Sequence, residues 1–206
     1  MPSSQTLFAT KLYRAMLDLR RNRMLEKTCL AIAGEDKAGR RWAKENGYGG
    51  YTSYASLNDL TVRASIFAEL EHDIAGHVRA FARQTQFDLA RSNQTRKLVL
   101  DSLWINVMDR HAVHTPHIHP HSVVSGTYYV TVPAGAGAIR FEDPRLGLMM
   151  AAPPKKENAR PENRSFFSVA AKPGLLLLWE SWLRHGVEPN HARAPRISVS
   201  FNYRLD

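Results

Sequence analysis

Two kinds of hydrophobic spacing divide the chain at about residue 97. Before that point apolar side chains recur every three or four residues, most clearly from about residue 64 to residue 83, and this spacing predicts an amphipathic helix. Residues 22–36 predict a shorter helix that ends at Gly34, and the Gly-, Tyr- and Ser-rich residues 44–60 predict a loop. The apolar stripe of the long helix is Ile66, Leu70, Ile74, Val78 and Phe81.

After residue 97 the apolar residues gather in short runs of β-branched and aromatic side chains, which predict strands separated by turns. Helices followed by strands indicate an α+β fold in which the helices support one face of an antiparallel sandwich or barrel. We expect one domain over residues 1–206. Residues 1–97 are expected to form helices and loops that support the fold, and residues 98–206 to form its β-sheet core. Residues 144–164 predict a long loop of the kind that often forms a lid, and we expect the Tyr-rich residues 48–54 to form the wall of a pocket. The predicted strands are LVLDSLWINVM, SGTYYVTVP, GAIRF, RSFFSVAA, GLLLLW and RISVSFNYRL.

Composition narrows the class of protein, its expected cellular location and its expected partners. The chain has 206 residues, 44% of them hydrophobic, and no apolar run long enough to predict a membrane span. The N-terminal residues lack a signal-peptide pattern, and a single cysteine, Cys29, excludes an internal disulfide, so we expect a cytoplasmic protein. The net charge of +9 is dispersed along the chain, which favours a solvated surface over nucleic-acid binding. The oligomeric state stays open.

Histidines concentrate just before one of the predicted strands. Five of the nine fall within HAVHTPHIHPH, at positions 111, 114, 117, 119 and 121. Imidazole is the commonest metal-ligating side chain, and the side chains at i and i+2 of an extended segment point the same way. His117 and His119 are therefore the predicted ligand pair. We expect His121 to orient a ligand or to replace one, and His111 and His114 to lie at the rim of the pocket.

A third ligand has to come from a distant segment, and His185 is the candidate. It follows the apolar run GLLLLW at a polar bend, 66 residues after His119. Arg196 and Ser198 lie a further eleven and thirteen residues on, and they alternate to one face of the last predicted strand. Burying a guanidinium is costly unless an anion meets it, so this pair predicts an anchor for an anionic cosubstrate. The alternative is a surface arginine on an edge strand.

These motifs resemble a known family. HIHPHSVVSGTYYV, the distant His185 and Arg196-x-Ser198 within RISVSFN are together similar to the 2-oxoglutarate- and Fe(II)-dependent oxygenases. The similarity is closer to a bacterial and phage subgroup that shares HxHPxS…SGxYY and a C-terminal RISxSFN. It is strongest over residues 104–203. The resemblance implies a double-stranded β-helix, or jelly roll, of the cupin-like kind, with the N-terminal helices as support.

The resemblance also implies roles for individual residues. His117 and His119 match the short-spaced ligand pair for Fe(II), and His185 matches the distant ligand. Arg196 and Ser198 match the anchor for the C5 carboxylate of 2-oxoglutarate, and positions at which such enzymes often bond the cosubstrate are matched by Tyr129 and Asn106. The implied reaction is an oxidation in which dioxygen and 2-oxoglutarate are consumed, an unidentified substrate is hydroxylated, and succinate and carbon dioxide are released.

One departure keeps two alternatives open. The superfamily usually has a carboxylate at the second ligand position, where this chain has His119, and neither Asp109 nor Glu180 has the spacing to replace it. Three histidines also suit zinc, so a cupin-like metal enzyme that does not use 2-oxoglutarate is the first alternative. The second is a non-catalytic module that binds a metal or an anion. The substrate, small or macromolecular, is not identified by the sequence.

Overall fold

A computed structural model describes residues 1–89 and 96–206. The N-terminal half is mainly helical, as the apolar spacing predicts. Across the described residues, no helix has both the length and the apolar character that crossing a bilayer requires. The helices are α1 (Asn22–Glu35), α2 (Lys37–Glu45), α3 (Leu60–Arg63) and α4 (Ser65–Thr85), and short 3-10 turns lie at Leu19–Arg21, Leu146–Leu148 and Pro161–Asn163.

Helix α4 confirms the predicted amphipathic helix and corrects its stripe at one position. Phe67 is fully buried, whereas Ile66 is partly exposed and packs only at the edge of the same cluster. An α-helix has 3.6 residues per turn, so positions four residues apart move gradually around its surface. They therefore cannot all lie on the buried face. Helix α1 does not end at Gly34. It runs one residue further, and Asp36 then caps α2 by accepting the backbone N–H of Gly39.

All six predicted strands are present, and four shorter ones join them. The unpredicted strands are β1 (Tyr13–Met16), β2 (Gly50–Thr52), β4 (His114–His117) and β9 (His185–Val187), which have three or four residues each. Such short strands contain too few residues to show alternation. The predicted strands are β3 (Leu98–Met108), β5 (Val124–Thr131), β6 (Ile139–Glu142), β7 (Phe166–Val169), β8 (Leu175–Glu180) and β10 (Arg196–Leu205).

The strands form two antiparallel sheets, as in a double-stranded β-helix. The larger sheet has the order β1-β8-β5-β10-β3-β2, and the smaller has the order β4-β9-β6-β7. Neighbours in each order are distant in sequence, so the sheets are built from long-range pairings. Strand β10 lies between β5 and β3 at the centre of the larger sheet. The jelly roll expected from the resemblance is therefore the fold of this chain.

Alternation along the central strands gives the larger sheet two different faces. Val199 pairs with Ile105 and Tyr128 on the face that packs against α1 and α4 in one hydrophobic cluster. Ser198 pairs with Asn106 and Tyr129 on the opposite face, which lines the interior between the sheets. A strand buried on both sides normally shows apolar residues throughout. The polar residues at every second position of β10 therefore mark a polar interior.

Gly126 tests how tightly β5 packs against β10. A Cβ at this position would lie 2.4 Å from the ring of Phe201 and 2.7 Å from the carbonyl oxygen of Leu177. We expect Gly126→Ala to lower the free energy of unfolding by about 1–3 kcal/mol, because backbone and a packed ring both obstruct the methyl group. Gly34→Ala is the control, since a Cβ there meets nothing within 4 Å. Chemical denaturation in which Gly126→Ala proves as stable as the wild type would contradict this packing.

Candidate metal centre

The smaller sheet and the turn after β4 bring three histidines together. His117 ends β4 and pairs directly with His185 at the start of β9, and His119 follows two residues after His117. One ring nitrogen from each of the three lies within 4.8 Å of the others. The short strand β4 thus places His117 opposite His185, and His119 follows just beyond its end. These are the three residues that the sequence predicts as ligands.

Hydrogen bonds orient two of the three imidazoles. Nδ1 of His117 lies 2.8 Å from the carbonyl oxygen of Thr115, and Nδ1 of His185 lies 2.8 Å from that of Leu183. A carbonyl only accepts, so each Nδ1 carries the proton and each Nε2 keeps its lone pair free. Bonds of this kind fix the tautomer of metal-ligating histidines in proteins. His119 is the exception, because its Nδ1 faces the side-chain amide of Asn202 at 3.3 Å.

Burial keeps these imidazoles neutral. Loss of solvent, together with the neighbouring histidines, lowers the pKa of His185 to about 2 and that of His119 to about 4. Burial also lowers the pKa of His117. A neutral imidazole is the form that binds a metal, so the cluster is ready for a cation at neutral pH without releasing protons.

The same pKa shifts predict acid sensitivity of the metal-free protein. The unfolded chain protonates its histidines near pH 6.5, whereas folded His185 resists protonation until about pH 2. The contribution of His185 to the free energy of unfolding is therefore fully present above pH 6.5. Below that pH it falls by about 1.4 kcal/mol per pH unit. We expect His185→Phe to reduce that slope between pH 6.5 and 4.5 in urea denaturation. An unchanged slope would contradict the burial of a neutral imidazole, and exposed His121→Phe is the control.

Aromatic side chains enclose the cluster. The ring of Trp179 lies 4.6 Å from that of His185, and the ring of Trp104 lies 5.8 Å from that of His119. Among the described residues no carboxylate joins the three histidines: Asp109 is exposed, and Glu180 lies outside the group. The centre is therefore an all-imidazole site in a largely apolar wall.

Not every histidine of the segment reaches the cluster. His121 is exposed in the turn that follows His119, so the structure does not bring it to the ligands. His111 is also exposed and adopts a left-handed backbone conformation with φ of 68°. His114 lies closer than its expected place at the rim, because its ring is 4.2 Å from that of His117 and lines the cavity. Burial lowers the pKa of His114 to about 3.

A buried guanidinium shares the cavity with the histidines. Arg196 is 4% exposed, and none of the ion pairs among the described residues includes it. Its Nη1 donates to the carbonyl oxygen of Gly137 at 3.0 Å, and its Nη2 lies 3.1 Å from the sulfur of Met108. Its Nε has no partner. The alternative of a surface arginine on an edge strand is therefore excluded, because β10 is central and Arg196 is buried.

Two further polar groups beside Arg196 lack partners. The hydroxyls of Ser198 and Tyr129 are buried without a hydrogen bond, and the Arg196 guanidinium lies 5.3 Å from the centre of the Tyr129 ring. Buried polar groups are nearly always paired, so three orphans on adjacent strands mark a place for a ligand. An acceptor-rich anion such as a carboxylate is the kind of ligand that accepts from donors of this type. The empty space of the cavity is about 440 Å³ when the part open to solvent is included.

Asn106 lies in the same cavity, but its amide is already partly engaged. Its Oδ1 accepts from the hydroxyls of Tyr48 and Thr52 at 3.0 Å each, and its Nδ2 donates to Ser200 at 3.1 Å. One amide hydrogen of Asn106 is not used in these bonds, so its contact with a cosubstrate stays a prediction. Through its Oδ1, Asn106 also holds Tyr48, whose ring packs edge-on against His114 at 5.2 Å.

Several residues of this site escaped the sequence analysis. Trp104 and Trp179 read only as members of apolar runs, and Met108, Ile139 and Val187 carry no chemical signal at all. Tyr48 falls in the predicted Tyr-rich wall, and of the three tyrosines in that segment it is the one that lines the cavity. No residue of the predicted lid, 144–164, lines the cavity in this structure.

Comparisons with known proteins agree with this geometry. Residues 102–202, about half of the chain, match the family described as "Putative 2OG-Fe(II) oxygenase". The matched stretch contains both sheet centres and all three clustered histidines. No curated protein matches the chain.

Solved structures share the fold at low sequence identity. A prolyl-4-hydroxylase from Pseudomonas putida superposes with a TM-score of 0.62 over 95% of this chain and 93% of its own, at 14% identity. The epimerase SnoN in complex with Fe3+, alpha-ketoglutarate and nogalamycin RO has a TM-score of 0.62 over 95% of this chain and 79% of its own, at 15% identity. HygX from Streptomyces hygroscopicus, with iron bound, has a TM-score of 0.53 over 95% and 82%, at 13% identity. Over residues 102–202 the chain is therefore similar to the 2-oxoglutarate- and Fe(II)-dependent oxygenases, and its fold is the one that these solved structures share.

Proposed function

We propose that this protein is a 2-oxoglutarate-dependent dioxygenase that hydroxylates a C–H bond of its substrate at an iron centre held by His117, His119 and His185. The single observation that carries the proposal is a buried guanidinium without a carboxylate partner in the same cavity as three converging imidazoles. Either feature alone has ordinary structural explanations. Together they fit a cation and a dicarboxylic acid that binds beside it.

The donor atoms fit both groups. Three neutral imidazole nitrogens suit Fe(II), and they occupy only part of a six-coordinate ion's positions, which leaves room for the cosubstrate and dioxygen. Arg196 would hold the far carboxylate of 2-oxoglutarate, and the hydroxyls of Ser198 and Tyr129 would donate to the same oxygens. Asn106 would act indirectly, by holding Tyr48 in place through a hydrogen bond. The iron and the cosubstrate together supply the oxidation: dioxygen and 2-oxoglutarate give succinate, carbon dioxide and one oxygen atom for the substrate's C–H bond.

The protein's own contribution is position and exclusion of water. The rings of Trp104 and Trp179 cover two of the histidines, and carbonyl acceptors hold the His117 and His185 rings in one orientation. The cavity is partly open to solvent, so the substrate would approach the metal from that opening. The lone buried Cys29 supports a reducing compartment, and we propose the cytoplasm.

Succinate formation tests this function. Purified protein is incubated with Fe(II), 2-oxoglutarate, ascorbate and air, and succinate is measured with and without a panel of candidate substrates. We expect succinate to require both Fe(II) and 2-oxoglutarate, and to fall to background in His185→Ala and Arg196→Ala. The exposed His121→Ala is the matched control and should retain activity. Succinate that forms equally in His185→Ala, or none from wild type across a broad panel, would count against the proposal.

The all-imidazole ligand set supports a second candidate. Without a carboxylate ligand the site also suits zinc, or iron in an enzyme that binds its substrate without 2-oxoglutarate. The two candidates differ in what occupies the Arg196 end of the cavity. Metal analysis of the purified protein, followed by a thermal shift with 2-oxoglutarate, separates them: zinc with no stabilisation by 2-oxoglutarate favours the second candidate.

A further inference from the structure

A chain of buried polar groups lies behind His119, and the proposed chemistry does not yet use it. Asn202, Ser125 and Ser181 are 3%, 1% and 0% exposed. The Asn202 amide faces Nδ1 of His119 at 3.3 Å, its Oδ1 lies 2.7 Å from the Ser125 hydroxyl, and that hydroxyl lies 2.8 Å from the Ser181 hydroxyl. Polar residues buried in a row need a physical reason, since each loses its hydration.

The direction of this chain decides whether His119 can bind a metal. With the Asn202 nitrogen toward His119, Nδ1 accepts a hydrogen bond and the ring proton sits on Nε2, the atom that a metal needs. With the amide reversed, its oxygen accepts a proton from Nδ1 and Nε2 is free. Hydroxyls and amides both donate and accept, so the whole chain can reverse: His119 donates to Asn202, Asn202 to Ser125, and Ser125 to Ser181.

The hydrogen bond of His119 can run in either direction, whereas those of His117 and His185 can run in only one. His117 and His185 face backbone carbonyls, which only accept, so their tautomers are fixed before a metal arrives. His119 faces a group that works either way. Its main chain is held by the same element, because its backbone N–H donates to the carbonyl oxygen of Ser181 at 3.0 Å. Ser181 lies in the turn that leads to His185, so one short segment supports two of the ligands.

We propose that Asn202 is the positioning residue of the metal centre: its amide oxygen accepts the Nδ1 proton of His119 when a metal is bound, and Ser125 and Ser181 hold the amide in that orientation. This inference rests on the proposed function, because it takes His119 as a ligand. It also gives His119 the hydrogen-bond acceptor that metal-ligating histidines normally have. Asn202 contacts neither substrate nor metal and acts only through His119.

Substitutions at Asn202 test whether its side chain acts as a hydrogen-bond acceptor for His119 or only fills space. Binding of Co(II) alone to the full chain is measured by calorimetry for wild type, Asn202→Asp and Asn202→Leu. Asp keeps an oxygen acceptor, so we expect its Kd to stay within about threefold of wild type. Leu has a similar size but accepts nothing, so we expect a Kd weaker by about 10–100-fold, the usual cost of losing such a partner. Tyr203→Phe is the control, because it removes a hydrogen bond to Glu71 on the other face of the same strand. Its Kd should not change.

A spectroscopic measurement on the wild type keeps the test decisive if Asn202→Leu does not fold. Long-range proton–nitrogen correlation spectra of the Zn(II)-loaded protein should show the His119 ring proton on Nδ1. A proton on Nε2, unchanged Co(II) affinity in Asn202→Leu, or equal weakening in the Asp and Leu variants would overturn the inference while leaving the proposed function intact. Wild-type protein that binds no Co(II) would overturn both.

Discussion

Replacing Arg196 by methionine should abolish 2-oxoglutarate binding and leave the metal-free protein as stable as the wild type or more so. The two effects have opposite signs because the guanidinium is buried without a carboxylate. In the free protein it bears a desolvation cost that its bond to Gly137 compensates only in part, and methionine removes this cost while filling a similar volume. In the complex it is the main counter-charge for the cosubstrate, and losing such a partner costs about 2–5 kcal/mol, or at least about a 30-fold weaker Kd.

Calorimetric titration of 2-oxoglutarate and urea denaturation measure the two halves of this prediction. Arg204→Met is the matched control, since Arg204 lies on the same strand but is exposed and pairs with Asp101 and Asp206. It should change neither quantity by much. A marked loss of stability in metal-free Arg196→Met would show that the guanidinium has a structural role, in which case its orphaned Nε would not indicate a ligand.

Replacing His185 by alanine should remove metal binding. Loss of a residue that merely orients a ligand costs about 10–100-fold in metal affinity, so loss of one of three ligands is expected to cost more than 100-fold. The residual pair, His117 and His119, lies on one continuous segment and lacks the partner from the neighbouring strand that closes the site. Binding of Co(II) or Fe(II) under anaerobic conditions gives the affinity directly.

The control for His185→Ala is a histidine of the histidine-rich segment that lies outside the cluster. His121→Ala removes an imidazole that is exposed and lies outside the cluster, so its metal affinity should equal that of the wild type. The reverse pattern, in which His121→Ala loses the metal and His185→Ala keeps it, would mean that the three-histidine cluster is not the metal site.

The structure brings together the three histidines that the sequence predicts as ligands, but the strands that hold two of them were not predicted. His117 and His185 lie opposite each other in β4 and β9, and neither strand was predicted, because HTPH and HGV contain no apolar alternation. Their strand geometry comes from pairing across the smaller sheet. The long strand β10 was predicted in full, since ten alternating residues carry their own signal.

Part of the site depends on contacts that no local pattern records. Asn202 was visible in the motif RISVSFN, but its link to His119 exists only because β10 passes behind the histidine segment. Tyr48 reaches the cavity through a hydrogen bond to Asn106, 58 residues away. Residues 144–164, predicted from their length to be a lid, lie away from the cavity, since length alone does not say where a loop folds.

Because the proposed ligand set has no carboxylate, we expect the affinity for the metal and the affinity for the cosubstrate to depend on each other. Three neutral imidazoles leave a divalent cation with its full charge, and Arg196 adds one more positive charge to the same cavity. A dicarboxylate would balance most of this charge. We therefore expect 2-oxoglutarate and the metal to bind with positive coupling, each raising the affinity of the other by the same factor.

Anaerobic titration of 2-oxoglutarate into the protein, with and without Fe(II), tests this arrangement most directly. We expect one site per chain and a Kd at least about tenfold tighter when Fe(II) is present, a coupling of the usual size between two ligands of one site. Equal affinity with and without Fe(II), or no binding in either case, would contradict a centre in which three histidines and Arg196 hold iron and a dicarboxylic acid side by side.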